Sequence, residues 1–218
     1  MNVLEEIDAM IDRQHLLGHS FYRKWVAGTL PTTALKEYAR QYYAFESTFP
    51  RFLSTLHARS GEAEVRQALL DNLWDEEHGD ANHAELWLRF AEGLGVDRVD
   101  VREADHNERT EALVDTYWRI CRDAPVAAGV AAVYAYERQV PQVAQAKIDG
   151  LKLQYGIEDG RTLQFFELHS SLDVEHSEAE RRMLAEVPIE DQAAAIEGAG
   201  AALEAWWGFL DAVDPGGD

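Results

Sequence analysis

Along most of the chain apolar residues recur at steps of three and four, runs of β-branched residues are absent, and Gly or Pro interrupts only at wide intervals. That is a helical period. It predicts helices near 2–17, 19–28, 32–59, 62–93, 107–122, 125–154, 160–186 and 189–213. Pro31 followed by Thr32 and Thr33 supplies a start signal, Gly61 and Gly93 to Gly95 supply stops, and Pro50 and Pro141 should kink the helices that contain them. The segment GVDRVDVREADHNER reads as the one extended polar loop. No repeat at a solenoid period is visible, and the Ala-rich DQAAAIEGAGAALEAWW reads as a packing helix. The expected fold is an all-α bundle of seven to eight helices, forming a single domain over residues 1–218. Bundle cores of this kind hold metal sites built from facing helices.

Composition narrows the class. Forty acidic against twenty basic residues give a net charge of −20, which argues against nucleic acid and anionic membranes as partners. Only four of the basic residues are lysines, Lys24, Lys36, Lys147 and Lys152, and the rest are arginines. A Lys-poor acidic surface looks like that of salt-adapted proteins. The N-terminal stretch MNVLEEIDAMIDRQ has no apolar signal region, and nowhere do eighteen apolar residues run together, so the expectation is a soluble, cytoplasmic protein. The single cysteine, Cys121, excludes an internal disulfide and a thiolate metal cluster within one chain.

Three segments carry candidate chemistry. In FFELHSSLDVEHSEAERRM, His169, Asp173 and His176 stand at spacings of four and three, which on a helix puts them within roughly 60° of one face. Leu172 and Phe165 or Phe166 lie near that face, so it points inward. An isolated pattern of this type is more often an Asp–His pair or a solvated stripe than a metal site. In NLWDEEHGDANHAELW, Glu76, Asp80 and His83 repeat the same spacing, flanked by Trp74 and Leu86. In AGVAAVYAYERQVPQ, Glu137 interrupts a run that would otherwise be wholly buried, where its simplest partner is an arginine such as Arg138.

Together the odds change. Glu76, His83, Glu137, His169, Asp173 and His176 offer three carboxylates and three imidazoles without a thiolate, a set that suits iron or manganese and is too large for one ion with an open position. Two metals is the natural count. His15, His19, His57, His78 and His106 have no carboxylate at matching helical spacing and read as surface or outer positions; His78 beside Glu77 is the chief alternative ligand pair.

The Glu-x-x-His pair of ferritin-like di-iron proteins is missing. Glu-x6-His, the single Glu of YAYE and His-x3-Asp-x2-His instead resemble the haem-oxygenase-like di-metal oxidases, and among them the CADD-like p-aminobenzoate synthases, related in fold to TenA and PqqC. The resemblance covers nearly the whole chain. It implies a haem-oxygenase-like bundle, favours a homodimer, and implies that the six residues ligate two iron ions, or iron plus manganese, used with molecular oxygen and an external reductant. It also implies self-consumption: Tyr22, in SFYRKW, would supply the ring of p-aminobenzoate for folate biosynthesis, and Lys147, in QVAQAKIDG, its nitrogen, with Tyr38 and Tyr136 near the metals. From the residues alone, Tyr22 reads as a core aromatic. Lys147 in a straight helix would lie about 15 Å along the axis from Glu137, a separation that a kink at Pro141 leaves open. The apolar neighbours Val143, Ala144 and Ile148 would lower the pKa of Lys147.

Two rivals remain open on sequence grounds. The same ligands would serve a di-iron oxygenase acting on an external fatty or amino acid, and a protein-interaction module would need none of them. A TenA-like hydrolase would need a nucleophilic cysteine in the pocket, and a PqqC-like cofactorless oxidase has no use for three buried carboxylates.

Overall fold

The computed structural model describes residues 2–214 and 216, and of Ser171 and Leu172 only the backbone, so the inward placement expected of Leu172 lies outside the described side chains. Among the described residues the regular structure is twelve α-helices and one 3-10 turn, Leu16–Gly18. Helices α1 (Val3–Arg13) and α2 (Ser20–Val26) flank that turn. His19 caps α2, its Nδ1 accepting from the Phe21 amide at 3.1 Å.

The long predicted helices are present but broken, and each break has a local cause. Pro50 has no N–H to donate, so it stands in the first turn of a new helix, where none is needed: α3 (Thr32–Glu46) ends and α4 (Phe49–Arg59) begins one residue before it. Ser47 and Thr48 help end α3 by turning their hydroxyls back onto the carbonyls of Tyr43 and Ala44, both at 2.7 Å. The predicted helix 62–93 is two helices, α5 (Ala63–Glu77) and α6 (His83–Gly93). Gly79, at φ 81°, turns the chain, and Asn82 caps α6 through the Glu85 amide at 2.9 Å. Pro141 likewise separates α9 (Val126–Glu137) from α10 (Val140–Tyr155). The segment expected as a polar loop contains a short helix, α7 (Arg98–Arg102), because Val101 is buried and needs a turn that turns it inward. Helices α8 (Glu108–Asp123), α11 (Gly160–Ala185) and α12 (Ile189–Val213) follow prediction closely.

Helix α9 runs through the middle of the molecule. It is apolar all round, the pattern of a helix buried on every side, and it packs against α12, α11, α8 and α4. Small residues allow this. A Cβ at Gly198 of α12 would stand 2.3 Å from the Ala128 carbonyl oxygen, so the two backbones touch only because position 198 has no side chain. Among the described residues no helix is long and apolar enough to cross a membrane.

Candidate metal centre

Helix ends, rather than helix faces alone, build the centre. Glu76 stands in the last turn of α5, His83 opens α6, and Glu137 is the last residue of α9, while α11 passes them in mid-course with His169, Asp173 and His176 on one stripe. All six are buried. Two of them join a residue the spacing did not reveal: donor atoms of Glu46, His83 and His169 lie within 4.8 Å of one another, as do those of Glu137, Asp173 and His176. Glu76 sits beside the first group, its Oε1 2.8 Å from His83 Nδ1, an ion-pair distance whose angle does not make a hydrogen bond.

The surroundings orient the imidazoles. His169 Nδ1 contacts the Phe165 carbonyl at 2.7 Å, which leaves Nε2 free for the centre. His176 Nε2 faces Asp75 Oδ2 at 3.1 Å, leaving Nδ1 inward and 3.8 Å from Asp173 Oδ1. This is the carboxylate–histidine arrangement that fixes the tautomer of a metal ligand. Glu137 does not pair with Arg138, whose guanidinium reaches Asp8 and Asp12 at 3.1 and 2.9 Å on the surface. It accepts instead from Asn72 Nδ2 at 3.0 and 3.2 Å, and the buried Glu180 is one of the groups that act on its carboxyl.

Too many polar atoms here lack partners. Glu46 Oε1, Glu76 Oε2, Asp173 Oδ2, both nitrogens of His83 and His176 Nδ1 are buried without a hydrogen bond. Unsatisfied buried groups of this kind are costly and rare. Burial drives the carboxyl of Glu46 up to about 8, with the Glu76 carboxylate adding to the effect. Burial and then Glu137 hold Asp173 well above the carboxylate range. For His83 burial acts downward, but the carboxylates around it, Glu76 first and then Glu46 and Asp75, together lift the imidazole to about 9. His169 is held well below its ordinary value by burial and by His83. Cations between these groups would supply partners for the unpaired carboxylate oxygens and for one nitrogen of each imidazole, and the donor set, hard oxygens with imidazole nitrogens, fits iron and manganese.

Some expectations do not survive. Asp80 does not join Glu76 and His83: the turn at Gly79 leaves it exposed, with only its carbonyl engaged by Arg89 at 2.9 Å. Trp74 flanks nothing inside, being 59% exposed and stacked on the exposed His78 at 4.0 Å, which removes His78 as an alternative ligand. Cys121 is buried, and burial pushes its thiol up to about 12, a poor nucleophile.

Beside the donor cluster lies a second, aromatic chamber. Lys147 reaches it from α10, buried, donating to the Tyr38 hydroxyl at 2.7 Å with its ammonium 5.4 Å from the Tyr22 ring centroid and 5.1 Å from that of Phe166. Tyr22 and Tyr38 hydroxyls lie 3.3 Å apart. Burial lowers the Lys147 amine to about 7, with Glu46 opposing; burial raises both phenols. Tyr136 and His169 line this chamber and the cavity between Glu46, Glu76, Glu137 and Asp173, so one wall serves both. Tyr42 completes that wall through hydroxyl contact with Tyr136 and a ring stacked on Trp87 at 4.0 Å.

Sequence reasoning missed Glu46, Asn72, Asp75, Glu180 and Tyr42. Glu46 had a signal, since Tyr38, Tyr42 and Glu46 stand four apart on α3 and a carboxylate ends an aromatic stripe. Glu180 had one as well, four residues beyond His176 on the ligand stripe. Asn72 and Asp75 had none, because their partners come from other helices.

Comparison with known proteins places the chain in a family. Residues 36–207 match the family model described as iron-containing redox enzyme. The chain is 38% identical over 217 residues to a 4-aminobenzoate synthase of Chlamydia trachomatis, covering 99% of this chain and 94% of that one. It is 40% identical over 221 residues to a 4-aminobenzoate synthase of Nitrosomonas europaea, covering 96% and 89%. Among solved structures, a TenA homologue from Pseudomonas syringae superposes with a TM-score of 0.82 at 15% identity, covering 97% and 90%, a likeness of fold.

Proposed function

This chain belongs to the family of iron-containing redox enzymes, and on that premise we propose that it makes 4-aminobenzoate from its own Tyr22 and Lys147. The observation that carries the reading is the shared wall: a buried amine against two buried phenols, in a chamber that Tyr136 and His169 join to the donor cluster. Glu76, His83, Glu137, His169, Asp173 and His176 would hold two ions, iron alone or iron with manganese. Bound there and supplied with dioxygen and a reductant, such ions provide the oxidising power that cleavage of an aromatic side chain requires.

The chain's own residues do the rest. Burial raises the Tyr22 and Tyr38 phenols further above their ordinary value, so both are protonated at neutral pH. Burial brings the Lys147 amine down to about 7, so a large share carries a free lone pair at neutral pH. The hydroxyl of Tyr38 holds Lys147 Nζ over the Tyr22 ring. Phe165, Phe166 and Val143 exclude water around them. Tyr22 would give up its ring as the benzoate skeleton and Lys147 its nitrogen, so each chain acts at most once. An interaction module has no use for this buried donor set. An oxygenase acting on an external fatty or amino acid would use the same donors but leave Tyr22 intact.

Tyrosine labelling separates the two. Protein made with ring-labelled tyrosine, incubated in air with iron, with or without manganese, and a reductant, should release labelled 4-aminobenzoate at less than one per chain. Unlabelled product, or accumulation over many turnovers, excludes self-consumption.

A further inference from the structure

The sequence pattern leaves Glu46 out of the metal set, and its placement argues the opposite. It is 5% exposed at the end of α3, with Oε1 unpartnered and a donor atom within 4.8 Å of donor atoms of both His83 and His169. No arginine pairs with it among the described residues. Glu76, by contrast, lies against the Nδ1 side of His83. Charge points the same way. Glu76, Glu137 and Asp173 do not by themselves balance two divalent ions, and Glu46 is a buried carboxylate standing beside His83 and His169.

We propose that Glu46 is a seventh ligand, the carboxylate donor to the ion that His83 and His169 hold. This rests on the two-metal reading above and extends it. Its nearest alternative is that Glu46 serves only as the counter-charge of the buried Lys147.

Anaerobic titration with manganese(II) decides, because binding is then read without any reaction. The wild-type chain should take up two ions. Glu46→Gln, which keeps shape and removes charge, should keep one tight ion and bind the second at least about tenfold more weakly, and the exchange-coupled manganese resonance signal should disappear at two equivalents. Should Glu46→Gln not fold, Glu46→Asp, one methylene shorter with its charge kept, should show the same weakening of the second ion. Two ions bound by either variant with unchanged affinity and an unchanged coupled signal would overturn the assignment and leave Glu46 as the partner of Lys147. A wild-type chain that binds no manganese would instead sink the two-metal reading itself.

Discussion

The two adjoining chambers solve the burial of ionisable groups in opposite ways. In the aromatic one the single amine has its hydrogen bond to Tyr38 and is wrapped by ring faces, so it stays where it is as a neutral or weakly protonated base. In the acidic one carboxylates crowd together with their oxygens unpartnered and rise toward neutrality by taking up protons. The first chamber is complete as folded. The second leaves buried oxygens and nitrogens without partners, and on the proposed reading the difference separates a place that would hold a reactant from a place that would hold a cofactor.

The largest test is to remove a donor from the incomplete chamber. Glu137→Ala deletes the carboxylate at the end of α9 and strands the Asn72 amide, and two-metal occupancy should be lost outright while helicity is retained. Metal analysis of the folded variant checks this, and two ions bound with unchanged affinity would return Glu137 to a structural role. Removing a proposed reactant from the aromatic chamber should do the reverse. Tyr22→Phe and Lys147→Met should each retain two ions and release no 4-aminobenzoate, by chromatography of the aerobic reaction.

The chambers were unequally legible in the sequence. Spacing gave His169, Asp173 and His176, and an acid in an apolar run gave Glu137, because these signals are local to one helix. Glu76 and His83 were found for an incomplete reason: they meet across the turn at Gly79 rather than along one helix, and that turn carries Asp80 away. The aromatic chamber was not legible as such. Tyr22 on α2, Tyr38 on α3 and Lys147 on α10 come together only in the fold, and only resemblance to a family singled them out beforehand. The helical class and most helix positions followed from the period of three and four. The breaks at Pro50 and Pro141 were expected as kinks, and the chain treats them as ends.

A smaller effect separates the chambers by the sign of their pH dependence in the metal-free protein. An unfolded chain releases a glutamate proton near 4.5 and the folded Glu46 near 8, so between these values the folded state holds the extra proton and stability falls as pH rises. Asp173 and Glu180, also raised, add to the fall. Lys147 works the other way: between about 7 and 10.5 the unfolded chain holds the extra proton, so stability rises with pH. Calorimetry from pH 5 to 8 should show a falling melting temperature that metal loading flattens and Glu46→Gln reduces. A rising one would contradict the carboxyl assignments.

The smallest expected effect lies outside both chambers. At a net charge of −20 the surface repels itself, and salt shortens the screening length from about 10 Å at 0.1 M to about 3 Å at 1 M. Exposed pairs such as Arg161 with Glu92, at 2.7 Å, contribute little and are screened as well. The melting temperature should climb by a few degrees between 0.1 and 2 M KCl; a flat or falling response would remove the salt-adaptation reading and leave the enzyme reading intact.

The central claim, that the acidic chamber acts on the aromatic one, is tested most directly by peptide mapping of the intact chain after aerobic reaction with iron, with or without manganese, and a reductant. The account predicts that mass changes fall on two peptides only, one losing the Tyr22 side chain and the other altered at Lys147, in step with the 4-aminobenzoate released. Product released with both residues intact, or loss centred on another tyrosine, would contradict it.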